Sequence, residues 1–281
     1  MNPPYKPMSL PMKLILWFVV ANAYAGAISL IVFPTDTRST FFWQIAPPIN
    51  AGMFGVLYLA AGSVVLRAVL RGQWEPARYL TAMVPAFTGM MLLTTLLHLD
   101  RFDKGPKLYY WLLVYIVAPL AGIIFYLQHE RGGANWRVVS QPIAPAVRLA
   151  AVATGTCAAL CAVVGYIFPD LVSASWPWTV SPLMVRVFLS WLSAFAVSLL
   201  WFGVDRDWSR LRPGAALLIG AAALMLLMLF IHRANLKPGA VTVWLFGAGV
   251  ACIGLLGAFM YWRQRAPAAD GRRAAAAQPL S

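Results

Sequence analysis

The sequence predicts an all-α integral membrane protein whose eight transmembrane helices form two parallel four-helix repeats. Three observations predict it. Of 281 residues, 61% are hydrophobic and only 11% charged, whereas a soluble domain carries about 25% charged and about 45–50% apolar residues. The apolar residues gather into eight runs long enough to cross a hydrocarbon core of about 30 Å. Rare residues also recur in order. Phe33-Pro34 returns as Phe168-Pro169, Trp43 as Trp178 and Pro47 as Pro182, at a spacing of 135. Trp74 returns as Trp208, Arg78 as Arg212, His98 as His232 and Gly105 as Gly239, at a spacing of 134, and Tyr126 as Tyr261, at 135.

Residues 1–11 contain four prolines and read as an extended lead. The first repeat, 12–127, holds apolar runs at 12–33, 49–70, 79–99 and 108–127. Residues 128–145 are a polar linker. The second repeat, 146–263, holds runs at 146–168, 181–203, 213–232 and 240–262, and residues 264–281 read as a disordered Ala-rich tail. Each run must be helical, because a backbone amide in hydrocarbon finds no water. Four helices per repeat keep both copies in one orientation, related by an axis along the membrane normal.

The formal charge of +13 suggests nucleic acid at first sight, but its placement argues otherwise. Segments on the side of the termini hold fifteen Lys and Arg, the opposite segments six. The positive-inside rule then sets both termini in the cytoplasm. The basicity is a topology signal with some attraction to anionic lipid, and nucleic acid is excluded as a partner. Seventeen Arg against five Lys, with abundant Ala, point to a bacterial inner membrane.

On the opposite side, Phe-Pro ends the first helix of each repeat, because proline cannot continue it. Trp43 and Trp178 follow, and then Pro47 and Pro182 open the next helix, where a missing N–H costs nothing. These tryptophans read as interfacial anchors or as an aromatic lid over a cavity. Trp74 and Trp208, in short basic connectors, read as surface anchors. Cys157, Cys161 and Cys252 have no ligand spacing and read as small buried hydrophobes.

The best candidates for chemistry are His98 and His232, each ending the third helix of its repeat. Imidazole can hold a polar ligand, relay a proton or ligate a metal. Arg186 is the one charge well inside an apolar run, placed to clamp an anion or to reach the surface; its counterpart is Ala51. Asn50 adds polar lining. All nine acidic residues fall in loops or at helix ends, which disfavours a simple proton pump. There is no phosphate-cradling loop, no His-Glu-x-x-His zinc motif and no Gly-x-Ser-x-Gly elbow. The sequence therefore predicts a non-enzymatic membrane protein, a permease-like or ligand-binding module lined by His98, His232, Trp43, Trp178, Arg186 and Asn50. One alternative is a redox subunit holding haem b between His98 and His232. The other is a structural subunit that docks a membrane partner.

Overall fold

The computed structural model describes the backbone of residues 5–131 and 137–276, and side chains as far as Arg265. Among the described residues it is all-helical, with eight helices long and apolar enough to cross a membrane. These are α1 (Leu10–Val32), α3 (Pro48–Arg71), α4 (Leu80–Leu97), α5 (Pro106–Arg131), α6 (Pro145–Ile167), α8 (Pro182–Val204), α9 (Trp208–Ile231) and α10 (Val241–Ala276). Two short helices, α2 (Thr37–Thr40) and α7 (Pro169–Ser175), lie in the loops after α1 and α6. A helix of 23 residues is about 35 Å long at 1.5 Å per residue, enough to span hydrocarbon with some tilt.

The predicted Phe-Pro stops hold, and α8 opens at Pro182 as expected, whereas α3 opens one residue late, with Pro47 at its N-cap. α1 ends at Val32 before Phe33-Pro34, and α6 ends at Ile167 before Phe168-Pro169. Pro48 and Pro182 take the first positions of α3 and α8. Gly72 ends α3 in the left-handed region (φ 61°), where its N–H reaches the carbonyls of Ala68 and Val69, a conformation that side chains disfavour. Parts of the expected lead (1–4), linker (132–136) and tail (277–281) lie outside the described residues. The remainder of the tail segment continues α10 as far as Ala276.

Neighbouring helices trace a closed circuit: α1, α3, α9, α10, α6, α8, α4, α5 and back to α1, with α3 touching α8 across it. Each sequence half therefore lends its second helix to the other. α3 packs on α9, and α8 packs on α4. α3 and α8 are accordingly the best covered spans, 67% and 50% buried, whereas α10 is 17% buried. The exposed Leu, Ile and Val along α1, α5, α6 and α10 suit a lipid surface, which is as apolar as the core it covers. The three cysteines lie on this exposed surface rather than in the core. Lipid gives a small hydrophobe no reason to turn inward.

The tryptophans differ from the sequence expectation. Trp43 is 2% exposed, and Trp74 and Trp178 are 0% exposed, so these are packed pins and not surface anchors. Trp74 stacks on His129 at 4.5 Å between ring centroids. Trp208 is 5% exposed and meets Tyr261 edge-on. In a bundle this rich in short connectors, a large ring fills the gap where the chain turns, and that burial outweighs headgroup contact.

The face bearing the termini is held by buried ion pairs. Arg210, fully buried, donates from Nη2 to Asp205 Oδ1 at 2.6 Å and from Nη1 to the Val138 carbonyl at 2.8 Å. Asp207 caps α9 by accepting from the Ser209 N–H, and its second oxygen accepts from the Ser140 N–H and hydroxyl. Burial opposes the charge on Asp207, but these donors overcome it and hold the carboxyl below its ordinary pKa.

Candidate functional site

Four of the six residues singled out in the sequence meet in pairs on the face opposite the termini. His98 closes α4, and its Nε2 lies 2.8 Å from Nη1 of Arg186 on α8. Arg186 is half-buried and does not run out to the surface. Its Nε donates to the Tyr166 carbonyl at 3.2 Å, and its guanidinium stands over the Tyr166 ring at 5.5 Å. The Tyr166 hydroxyl continues to Thr94 Oγ1 at 2.9 Å, and Thr94 continues to Ser190 Oγ at 3.4 Å. The result is a polar seam joining α4, α6 and α8. Asp100, two residues beyond His98, pairs with Arg101 at 3.0 Å.

An N–H of arginine must meet a lone pair, so Nε2 accepts and the imidazole is neutral. Burial, and then the charge of Arg186, push the His98 pKa below its usual value; Asp100 partly opposes them. The unfolded chain takes up its proton near pH 6.5. The contact's contribution to stability is therefore complete above that pH and declines as pH falls toward the depressed folded value. Lowering the pH from 7.5 to 5.5 is expected to lower the thermal midpoint of the purified protein. His98→Gln should reduce that pH dependence. An unchanged slope in the variant would show that the contact does not titrate.

Asn50, on α3, makes the second pairing. Its Oδ1 accepts the indole N–H of Trp178 at 2.7 Å, and its amide donates to the carbonyls of Ala46 at 2.9 Å and Thr179 at 3.2 Å. This fastens the loop before α8 to the helix of the other half. Asn50→Leu would leave a buried indole N–H without an acceptor, a cost of about 1–3 kcal/mol. A matching fall in stability, read by thermal denaturation, is expected.

His232 closes α9 and lies against α3 at Gly52, where a methyl group in place of the glycine hydrogen would come within 3.0 Å of its Nε2. Only glycine allows this approach without shifting the ring. Burial lowers the His232 pKa as well, so it too is neutral near pH 7. The two histidines thus sit in different seams, one against α8 and the other against α3. Trp43 packs against Phe41, Phe102 and Trp111 in the first half, with ring centroids 4.9–5.3 Å apart.

A cavity of about 330 Å³ lies among α3, α6, α8, α9 and α10. Its wall is apolar apart from Thr154 and the edges of Trp176, Trp178 and Trp191. On α9, Leu218, Ala221, Ala222 and Met225 line it. His232 follows Met225 by seven residues, two helical turns, and so stands at the end of the same stripe. Ile253, at the rim on α10, is 38% exposed.

The first half holds a smaller cavity of about 220 Å³ whose wall is more polar, with Asn22, Ser29, Tyr58, Tyr110 and Tyr115 in it. Tyr58, Phe87 and Tyr115 interlock beside it; the two tyrosine hydroxyls are 2.5 Å apart and Phe87 meets both rings edge-on at 6.0 Å. At the expected repeat spacings Phe87 falls on Ala221 and Tyr115 on Val250, both of which line the larger cavity, and Tyr58 falls on Ser193, which does not. The seam of Tyr166, Thr94 and Ser190, and the cavity itself, were missed from sequence. The signal available was the small residues Ala221 and Val250 where the expected spacings set rings in the first half, but it becomes visible only when the match is carried beyond the rare residues. The chain matches no family model, no curated protein and no solved structure.

Proposed function

We propose that this polytopic membrane protein is a permease-like ligand-binding module built from two tandem copies of one four-helix unit, with its ligand compartment in the second copy. The ligand is amphipathic. Its apolar body occupies the cavity beneath Trp178, and its polar end meets His232 at the outer end of the α9 stripe. Asn50 orients Trp178 over the compartment. His98 and Arg186 form the related polar group on the other seam, and Trp43 is the packed counterpart of Trp178.

The observation that carries this reading is the exchange of Phe87 and Tyr115 for Ala221 and Val250, both in the wall of the volume of about 330 Å³. That volume is at the lower end of small-molecule pockets, and an apolar wall of this kind holds hydrocarbon better than water. The duplication is supported by the pairing of helices, since α3 with α9 mirrors α8 with α4 and α1 with α3 mirrors α6 with α8. The positive-inside bias supports an outward histidine face, and the excess of Arg over Lys supports a bacterial inner membrane. The bond from Arg186 to His98 Nε2 weighs against the haem reading, because that nitrogen's lone pair is engaged and a cation stands where iron would.

Photolabelling tests the proposal. A diazirine-bearing alkyl alcohol, added to the protein in detergent and competed with unlabelled alcohol, is expected to mark peptides containing Thr154, Trp176 and Phe246. Uniform, uncompeted labelling of every exposed helix would contradict it.

A further inference from the structure

We propose that the cleft between α3, α9 and α10, at the face bearing the termini, is a binding site for the phosphate head of an anionic phospholipid. The cleft has a volume of about 520 Å³ and is lined by Arg67, Arg212 and Tyr261. A shallower recess beside it, sharing Tyr261, adds Arg265. Arg67, Arg212 and Arg265 all act electrostatically on Tyr261, and Arg67 and Arg212 also act on Arg71. All four arginines are exposed. Among the described side chains no carboxylate forms an ion pair with any of them.

The matching place in the first half is built the opposite way. Arg78 there donates from Nε to Glu130 Oε1 at 2.7 Å and from Nη2 to Oε2 at 3.1 Å and to the Tyr126 hydroxyl at 3.3 Å. Its guanidinium stands over Trp201 at 5.5 Å. At the repeat spacings Arg78 corresponds to Arg212, Tyr126 to Tyr261, and Glu130 to Arg265. One site is thus a neutralised ion pair. In the other the arginine and tyrosine are kept, the carboxylate is exchanged for a cation, and Arg67 adds another. Like charges crowded at a helix end need an anion to offset them.

The depth and the wall name the anion's carrier. Arg67 lies four residues before the end of α3 and Arg212 four residues after the start of α9. Each is therefore about 6 Å inside its helix end, the level of a lipid phosphate. Deeper in, the cleft is lined by Leu59, Val64, Leu217 and Leu224, which suit an acyl chain and offer a soluble phosphate nothing. The guanidinium fork matches phosphate oxygens in pairs.

Delipidated full-length protein in non-ionic detergent is titrated with short-chain phosphatidylglycerol, phosphatidylcholine or inorganic phosphate, and binding is read by native mass spectrometry and thermal midpoint. Saturable binding of phosphatidylglycerol alone is expected. Each arginine near anionic lipid contributes a factor of about five, so R67Q/R212Q should weaken binding about 25-fold. R265E, which restores the carboxylate of the first half, should weaken it similarly. R263Q, a charge change on the same face, should leave it unchanged. Unaltered affinity in R67Q/R212Q and R265E, an equal loss in R263Q, or equal binding of either other compound would overturn the proposal.

Discussion

Replacing Ala221 with Phe and Val250 with Tyr is expected to abolish binding of an amphipathic ligand while leaving the bundle folded. The two substitutions copy the first half at the proposed repeat spacings, where Phe87 and Tyr115 meet edge-on. They fill a cavity of about 330 Å³ with rings that the same helical framework already accommodates elsewhere. Overpacking in a core costs about 1–3 kcal/mol, but a pre-existing void reduces the strain. A ligand present at a hundred times its Kd stabilises a protein by about 2.7 kcal/mol. That ligand-dependent rise in thermal midpoint should vanish in the double variant, while its midpoint without ligand stays close to that of the parent. A variant that is still stabilised by the ligand would place the binding compartment elsewhere.

The second large effect is expected at the connector before α9. Asp205→Ala would strip Arg210 of its hydrogen-bonded carboxylate, leaving Asp207 at 3.5 Å as its remaining counter-charge, and Arg210 has no exposed surface on which to recover hydration. Breaking a buried pair on one side costs about 3–5 kcal/mol. The loss also reaches the linker between the halves. Arg210 holds the Val138 carbonyl, the Trp208 N–H donates to the Gln141 carbonyl, and the Ile143 N–H donates to the Arg206 carbonyl. Thermal unfolding in detergent should show the drop. Replacing both Asp205 and Arg210 with leucine should cost less than the single change, because no guanidinium is left short of its partner and Asp207 keeps the Ser140 and Ser209 donors. Asp207 adds a pH dependence of defined sign. Its folded pKa lies below the ordinary value, so its stabilisation is present at neutral pH and is lost only as pH falls through the acid range.

What the sequence disclosed was governed by lipid. The eight spans follow from run length alone, and the ends of α1 and α6 follow from Phe33-Pro34 and Phe168-Pro169. The partnering of α3 with α9 and of α8 with α4 was not legible. Against lipid, Leu, Val and Ala are interchangeable, so helical periodicity reports little about which face meets protein. The same ambiguity hid the burial of Trp43, Trp74 and Trp178, since a tryptophan beside a helix end serves equally as a headgroup anchor or as packing. Arg186 was recognised as unusual in sequence, yet its partner came from a span 88 residues away. Only the circuit of helices brings His98 to it. Asn50 was found as a polar residue but not as the acceptor for Trp178, for the same reason.

The central claim, that the second half keeps a larger and more apolar compartment for a guest where rings narrow the first half, is tested most directly by an experimental density map of the protein in lipid nanodiscs. The account predicts elongated density beside Ala221 and Val250, entering past Ile253 on α10, and continuous side-chain density around Tyr58, Phe87 and Tyr115. A collapsed compartment, with Trp176, Trp191 and Phe246 closed on one another and no guest between them, would contradict it.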